Sequence, residues 1–97
     1  MKREVVWTYK AQLALDRLYA YLHDETSPQQ AWKTRQQIVT TARSLSKQAE
    51  IYQLDEYYPD NPGNIRRFFR ANYRVVYQVR DRQVVILNVY HTRQAPE

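Results

Sequence analysis

The chain has 97 residues, 43% of them hydrophobic and 26% charged, which predicts a single folded domain over residues 1–97 and excludes general disorder. Without cysteine, and with two distant histidines and one glycine, it offers no disulfide, no metal site, no glycine-rich phosphate loop and no cofactor site. The net charge of +5 favours an anionic partner, while the N-terminus and the apolar runs predict a cytoplasmic protein without a signal peptide or membrane contact.

The first elements along the chain are a strand and a helix. Residues 3–8 (REVVWT) are rich in β-branched and aromatic side chains and predict a strand. Thr8 is a suitable N-cap for a helix that should end near His23. The apolar side chains of this helix recur every three or four residues and so share one face: Ala11, Leu15, Leu18 and Leu22. Lys10, Asp16 and Arg17 fall on its solvent side.

A second helix is predicted to start directly afterwards. Ser27 is a natural N-cap, Pro28 suits the first helical position, and Gln30 completes a capping box. One face of this helix is again apolar, through Ala31, Ile38, Ala42 and Leu45. Because the link between the two helices is short and polar, they should form an antiparallel hairpin.

The remainder of the chain predicts a loop and three strands. Residues 51–65 carry two prolines and the only glycine, with a turn expected at Asn61-Pro62-Gly63. The strands follow at residues 66–71, 74–80 and 83–91. The order β-α-α-β-β-β predicts an α+β fold: an antiparallel sheet of about four strands with the N-terminal helical hairpin packed on one face.

The middle strand of the three makes a prediction about exposure. Alternate residues of a strand point to opposite faces of its sheet. We expect the helices to cover the apolar set, Tyr73, Val75, Tyr77 and Val79. The other set, Arg74, Val76, Gln78 and Arg80, should then face water or a ligand.

Arginine is concentrated in the last third of the chain. Asp81 is the only acidic residue in the stretch 66–93, which carries seven arginines: Arg66, Arg67, Arg70, Arg74, Arg80, Arg82 and Arg93. Guanidinium groups bind phosphate or carboxylate in a forked geometry, so this region suits nucleic acid or an acidic protein. The plainer interpretations are a solvated sheet face, and ion pairs of Arg66 or Arg67 with Asp55 or Glu56.

Residues 65–96 resemble the C-terminal half of the RelE/ParE superfamily of bacterial toxins, which belong to type II toxin–antitoxin modules. The matching residues are Arg66 after the loop, the NYR-V-Y stretch, the VVIL hairpin strand and the V-x-H-x-R ending at Val89, His91 and Arg93. The W-T-x-x-A stretch at Trp7, Thr8 and Ala11 is also similar. The upstream β-α-α order agrees with that family's fold.

This resemblance implies a toxin that a cognate antitoxin neutralises. ParE-like relatives inhibit DNA gyrase without known nuclease activity, whereas RelE-like relatives cleave messenger RNA on the ribosome. The long helical hairpin and the H-x-R-x-x-P ending resemble the ParE branch, which we favour. The alternatives are a ribosome-dependent mRNA interferase and an inactive relative that keeps only antitoxin binding.

The two activities would need different residues. Metal-free RNA cleavage requires a cation for the phosphorane and an acid–base pair, and the candidates are Arg66, Arg67, His91 and Arg93. Guanidinium cannot act as a base, so His91 lacks a second partner unless Glu50, Asp55 or Glu56 folds over from the loop. For binding the target or the antitoxin, the candidates are Arg70, Arg74, Arg80, Tyr90 and Arg93.

The last strand leaves the role of His91 open. By strict alternation His91 shares a face with Leu87 and Val89, where it could lie at the edge of the core. Tyr90 would then project with Asn88 to the opposite face.

Overall fold

The computed structural model describes residues 2–93 and has the predicted order of elements. They are β1 (Glu4–Trp7), α1 (Tyr9–Glu25), α2 (Pro28–Gln48), β2 (Ile65–Arg70), β3 (Tyr73–Val79) and β4 (Gln83–His91). The α+β class is confirmed. The helix α1 continues to Glu25, two residues beyond the expected end at His23.

Both helices begin at the predicted N-caps. The Thr8 hydroxyl accepts a hydrogen bond from the N–H of Ala11 at 3.0 Å, and the Ser27 hydroxyl accepts one from the N–H of Gln30 at 3.0 Å. Each cap satisfies a donor that the first turn of a helix leaves free. The capping box of α2 is only half formed, because the Gln30 side chain donates to the Thr34 hydroxyl at 3.1 Å.

The four strands form one sheet in the order β1-β4-β3-β2. The β2–β3 and β3–β4 pairs are antiparallel, but β1 runs parallel to β4 with Glu4 opposite Gln83 and Trp7 opposite Ile86. The prediction of a wholly antiparallel sheet is therefore wrong. A parallel pair needs a long crossover between its strands, and here nearly the whole chain separates β1 from β4. No local pattern reports such a distant partner.

The core lies between the helical hairpin and one face of the sheet. Tyr73, Val75 and Tyr77 are buried there and Val79 is partly buried, as the alternation predicts. The helices contribute the apolar stripe, including Ala11, Leu15, Leu18, Ile38, Ala42 and Leu45. At about 25 cal/mol per Å² of buried apolar surface, this packing is the main force that holds the hairpin to the sheet.

The opposite face of the sheet is covered by the segment from residue 50 to residue 64, so the expectation of an open face is wrong for its centre. Val76 is only 1% exposed and Arg74 only 7%. The segment is held by backbone hydrogen bonds from Asp55 N–H to Ile65 O at 2.9 Å and from Arg67 N–H to Gln53 O at 3.1 Å. These bonds also cover part of the outer edge of β2, which would otherwise present free backbone groups.

The turn at the end of this segment is the one that the sequence predicts. Gly63 has φ +103°, a conformation that favours glycine. The Asn61 side chain accepts hydrogen bonds from the N–H groups of Gly63 at 2.8 Å and Ile65 at 3.3 Å, and donates to the Ile65 carbonyl at 2.8 Å. One amide side chain therefore organises the return of the chain into β2.

A β-bulge interrupts β4 and changes the face of its side chains. Val76 lies opposite Asn88 and Tyr77 lies opposite Ile86, which leaves Leu87 as an extra residue. Val84 and Ile86 face the helices before the bulge, and Val89 faces them after it. Strict alternation is thus wrong for Leu87, which lines a cavity on the other face. Val89 and His91 still share a face, as expected, because both follow the bulge.

Candidate partner-binding surface

The polar cluster at the end of β4 divides between the two faces of the sheet. His91 lies on the helix side, where its ring meets the ring of Tyr73 edge-on with 5.2 Å between the centroids. Its Nδ1 accepts a hydrogen bond from the N–H of Arg93 at 3.0 Å. Tyr90 lies on the other side, with its ring centre 4.6 Å from the Cζ of Arg74. Arg93 follows the strand and is exposed.

Arg74 is held inside the protein by a carboxylate and two aromatic rings. Its Nη1 donates to both oxygens of Asp55, at 2.7 and 2.8 Å, and both side chains are almost fully buried. Its Cζ is also 5.2 Å from the ring centre of Tyr57, a distance at which a ring face attracts a cation. The carboxylate compensates the charge of Arg74, so this guanidinium anchors the 50–64 segment to the sheet.

The three arginines of β2 are engaged in different ways. Arg66 donates to the carbonyl oxygen of Tyr52. Arg67 lies on the opposite face, where it pairs with Glu56 at 3.2 Å and lies over the ring of Phe69. Arg70 donates to the Tyr52 hydroxyl at 3.0 Å. The anticipated pairing of Arg66 or Arg67 with Asp55 or Glu56 occurs as Arg67 with Glu56. The partner of Asp55 is Arg74, which was not anticipated.

The candidate catalytic residues do not converge on one point. Arg66 is opposite Tyr77 and His91 is opposite Tyr73, so they are four residues apart along the sheet and two strands apart across it. At roughly 3.4 Å per residue and 4.8 Å per strand, their Cα atoms are about 17 Å apart. Arg67 points to the other face. Only His91 and Arg93 lie together.

The candidate binding residues are likewise dispersed. Arg80 follows β3 at the end away from Tyr73, seven residues and roughly 24 Å along the sheet from that residue. Its Nε donates to the Gln78 side chain at 3.2 Å. Arg70 belongs to the α2 side of the molecule, where it lines a shallow surface with Trp32 and Lys33. Tyr90 and Arg93 remain as neighbours at the end of β4.

A groove of about 590 Å³ runs between α1 and the end of β4; we call it the α1–β4 groove. Its lining comprises Lys10, Leu13, Ala14, Arg17, Leu18 and Tyr21 of α1, together with Tyr73, Asn88, Val89, Tyr90, His91 and Arg93. Four of these residues are basic in type and none is acidic. The floor is apolar and aromatic. The groove therefore combines positive charge with buried apolar surface, a combination that suits an acidic protein segment.

The contribution of α1 to this groove was not anticipated from the sequence, which indicated only that Lys10, Asp16 and Arg17 face solvent. Lys10 and Arg17 are seven residues apart and therefore occupy one side of the helix, with Ala14 between them. That seven-residue spacing was the one sequence signal that both cations lie on the same side of α1. The position of α1 across the end of β4 is a tertiary feature that spacing does not report.

The buried tyrosines are poor candidates for proton transfer near neutral pH. Burial raises the pKa of Tyr77 well above its ordinary value, and its hydroxyl donates to the Ala49 carbonyl at 2.8 Å. Burial, and to a smaller extent the neighbouring Tyr21, also raises the pKa of Tyr73. Both groups stay protonated under ordinary conditions, so they act as hydrogen-bond donors and core residues.

Two further findings concern the described residues, 2–93. They contain no group of three or more histidine, aspartate or glutamate side chains that could hold a metal ion. Neither of the two helices is long and apolar enough to cross a membrane.

Comparison with known proteins places these features in a family. The sequence-family model for the ParE toxin of type II toxin–antitoxin systems (parDE) matches residues 5–96 of this chain. Sequence comparison with curated proteins finds no significant match. Among solved structures, the chain is similar to one from the chromosomal ParDE TA system of P. aeruginosa, with TM-score 0.74, 23% identity, and coverage of 93% of this chain and 96% of that one.

A second similar structure comes from the toxin–antitoxin complex RelBE2 of Mycobacterium tuberculosis. The TM-score is 0.64 and the identity 21%, with 94% of this chain and 92% of that chain covered. At such identities the two structures establish a shared fold.

Proposed function

The chain belongs to the ParE toxin family of type II toxin–antitoxin systems, since the family model spans residues 5–96, and we propose that it acts by binding DNA gyrase without catalysis. The same proposal includes a cytoplasmic location, where gyrase works on DNA. The resemblance to RelE/ParE toxins that the sequence indicates is confirmed at the level of the superfamily. The target is our proposal.

The observation that supports a non-catalytic mechanism most strongly is the composition of the site around His91. Of the candidate catalytic residues only Arg93 lies beside it, Arg66 is distant, and the described residues that line the groove with His91 include no carboxylate. RNA cleavage needs a base, an acid and a cation within hydrogen-bond reach of a single phosphate. His91 is roughly 17 Å from Arg66, measured between Cα atoms from the strand register. Its Nδ1 accepts the N–H of Arg93 at 3.0 Å, so this nitrogen is engaged within the protein. A binding surface needs no such convergence.

We also propose that a cognate antitoxin neutralises this toxin. The solved structures to which the chain is similar are described as a ParDE system and as a RelBE2 toxin–antitoxin complex. A basic groove with an apolar floor is the kind of surface that binds an acidic segment which folds on contact.

Two assays separate the proposed activity from its alternatives. Purified toxin is added to a gyrase supercoiling reaction and, in parallel, to ribosomes that translate a reporter message. We expect supercoiling to fall with increasing toxin and the message to remain intact. Arg93→Ala should weaken the inhibition about tenfold or more, because a buried charged contact at an interface is worth at least about 1.4 kcal/mol. The matched control is Arg82→Ala, an exposed arginine in the β3–β4 turn, with no change expected.

The alternatives correspond to distinct results. Specific cuts in the message that disappear in His91→Ala would replace gyrase inhibition by ribosome-dependent mRNA cleavage. If neither reaction responds, and expression does no harm to cells that lack the neighbouring gene, the chain is an inactive relative that keeps antitoxin binding alone.

A further inference from the structure

The helix α2 carries most of the net positive charge of the chain. Between Glu25 and Glu50 the sequence contains no acidic residue, whereas α2 contains four cations: Lys33, Arg35, Arg43 and Lys47. Its charge of +4 compares with a net charge of +5 for the whole chain. The helix α1 has the opposite sign, because its two cations are outnumbered by three carboxylates: Asp16, Asp24 and Glu25. The positive charge of the hairpin is therefore concentrated on one helix.

The polar side chains of α2 form one stripe on the side away from the core. Spacings of three and four residues place them on one face of the helix, opposite the buried Thr34, Ile38 and Leu45. This stripe, which we call the α2 outer face, consists of Gln29, Lys33, Gln36, Thr40, Arg43, Ser44 and Lys47. All of these residues are exposed or partly exposed, and all are of types that donate hydrogen bonds to the phosphate oxygens of DNA.

The cations of the α2 outer face are not paired within the described part of the chain. No carboxylate there lies within 4.0 Å of Lys33, Arg43 or Lys47. Glu50, the first carboxylate after the helix, pairs with Arg3 at 3.9 Å. The helix dipole favours Lys47 in the last turn, but its effect does not extend to Lys33. A face that serves only solubility mixes both signs of charge, so a face without acids points to an anionic partner.

The dimensions of the α2 outer face match the backbone of double-stranded DNA. Lys33 and Lys47 are 14 residues apart, which separates them by roughly 21 Å along the helix, with Arg43 between them. Each strand of DNA presents a phosphate about every 3.4 Å along the axis, so about six base pairs cover this length. Trp32, which is 54% exposed, lines a shallow surface beside Lys33 and Arg70 at one end of the face.

We propose that the α2 outer face binds double-stranded DNA through its phosphates, without reading the base sequence. This inference goes beyond the proposed function, because it gives the toxin a DNA contact of its own and does not require gyrase to be the target. An acidic protein segment fits this face less well, since none of its seven side chains is apolar and a protein interface buries an apolar centre. The α1–β4 groove has the converse character, because phosphates gain nothing from its apolar floor.

The test is a titration of a fluorescent 20-base-pair duplex with purified toxin, followed by anisotropy at several salt concentrations. At physiological salt we expect a dissociation constant of about 10⁻⁴–10⁻⁶ M, equal for two duplexes of unrelated sequence. Three phosphate contacts predict a slope of about −2.7 for the logarithm of the association constant against that of the salt concentration. Arg43→Gln/Lys47→Gln should weaken binding at least tenfold at about 50 mM salt and make the slope shallower by about 2.

The matched control removes the same charge elsewhere. Arg80→Gln/Arg82→Gln changes two exposed arginines in the β3–β4 turn and should change binding by less than threefold. Circular dichroism verifies that both double variants keep the fold. NMR gives a local readout, because the chain has two tryptophans. The indole N–H signal of Trp32 should move when DNA is added, and that of Trp7, which packs against the core, should stay in place.

The results that overturn the inference are distinct from one another. Absence of binding at low salt refutes it directly. Equal weakening by the two double variants means that binding follows net charge and not the α2 outer face. An unmoved Trp32 signal places the DNA elsewhere on the surface. Tighter binding of a single-stranded oligonucleotide or a polyglutamate peptide than of the duplex assigns the face to another anion. The gyrase proposal stands in all four cases, because the supercoiling assay tests it separately.

Discussion

The buried Asp55–Arg74 pair gives the sharpest test of how the 50–64 segment is held. Asp55 is 3% exposed and Arg74 is 7% exposed, and both carboxylate oxygens accept from one guanidinium nitrogen, at 2.7 and 2.8 Å. The variant Asp55→Asn keeps the size and shape of the side chain but removes its charge. Arg74 is then left as a cation inside the protein without a counter-charge.

The expected loss of stability is large. Breaking a buried ion pair by removing one partner costs about 3–5 kcal/mol. The rings of Tyr57 and Tyr90 still contact the guanidinium, so we expect the lower end, about 3 kcal/mol. Urea denaturation followed by circular dichroism measures this directly. With a slope of about 1–1.5 kcal/mol per molar urea, the midpoint should fall by about 2–3 M.

A matched control comes from the neighbouring ion pair of Arg67 with Glu56. Glu56 is half exposed, and such pairs contribute only about 0–1 kcal/mol, so Glu56→Gln should shift the midpoint by less than 1 M. The double variant Asp55→Leu/Arg74→Met removes both charges and should be nearly neutral. If Asp55→Asn costs no more than Glu56→Gln, the segment does not bury this pair and the reasoning is refuted.

Three smaller predictions concern a turn, a helix cap and a buried hydroxyl. Ala71→Gly should stabilise the protein by about 0.5–1 kcal/mol in the same urea assay, because Ala71 has φ 52° in the two-residue β2–β3 turn and glycine favours that conformation. Thr8→Ala should cost about 1–2 kcal/mol and more than Ser27→Ala, since Thr8 both caps α1 and bonds to β4; equal losses would contradict this. Burial raises the folded-state pKa of Tyr77. The protonated Tyr77 hydroxyl therefore contributes its full stability below the unfolded-state pKa of about 10, and this contribution is lost as the pH rises from there through the folded-state pKa. The fall in the free energy of unfolding above pH 10 should therefore be shallower in Tyr77→Phe, as measured by denaturation at a series of pH values.

The features that were predictable from the sequence are local ones. The N-caps at Thr8 and Ser27 depend on residues three positions apart, and the turn at Gly63 depends on its neighbours. The helix-facing side of β3 depends on a period of two residues. Each of these signals lies within a few residues of the structure that it specifies, and each is confirmed.

The features that were missed depend on contacts between distant parts of the chain. The parallel pairing of β1 with β4 joins residues about 80 positions apart, such as Glu4 and Gln83. The burial of Arg74 requires a loop residue, Asp55, to fold over the sheet. The bulge at Leu87 is visible only once β3 and β4 are in register. Side-chain periodicity carries no information about any of these three.

The bulge in β4 and the early end of β1 together determine which way the side chains at the end of β4 point and what lies beside them. Without the extra residue at Leu87, every later side chain of β4 would point to the opposite face, because the period of a strand is two. With it, Tyr90 lies against Arg74 under the 50–64 segment, and His91 turns toward α1. The partner-binding charge that we propose therefore does not come from the arginines of residues 66–80, which are largely occupied within the protein or dispersed. It comes from the end of β4 together with α1, the two elements that line the α1–β4 groove.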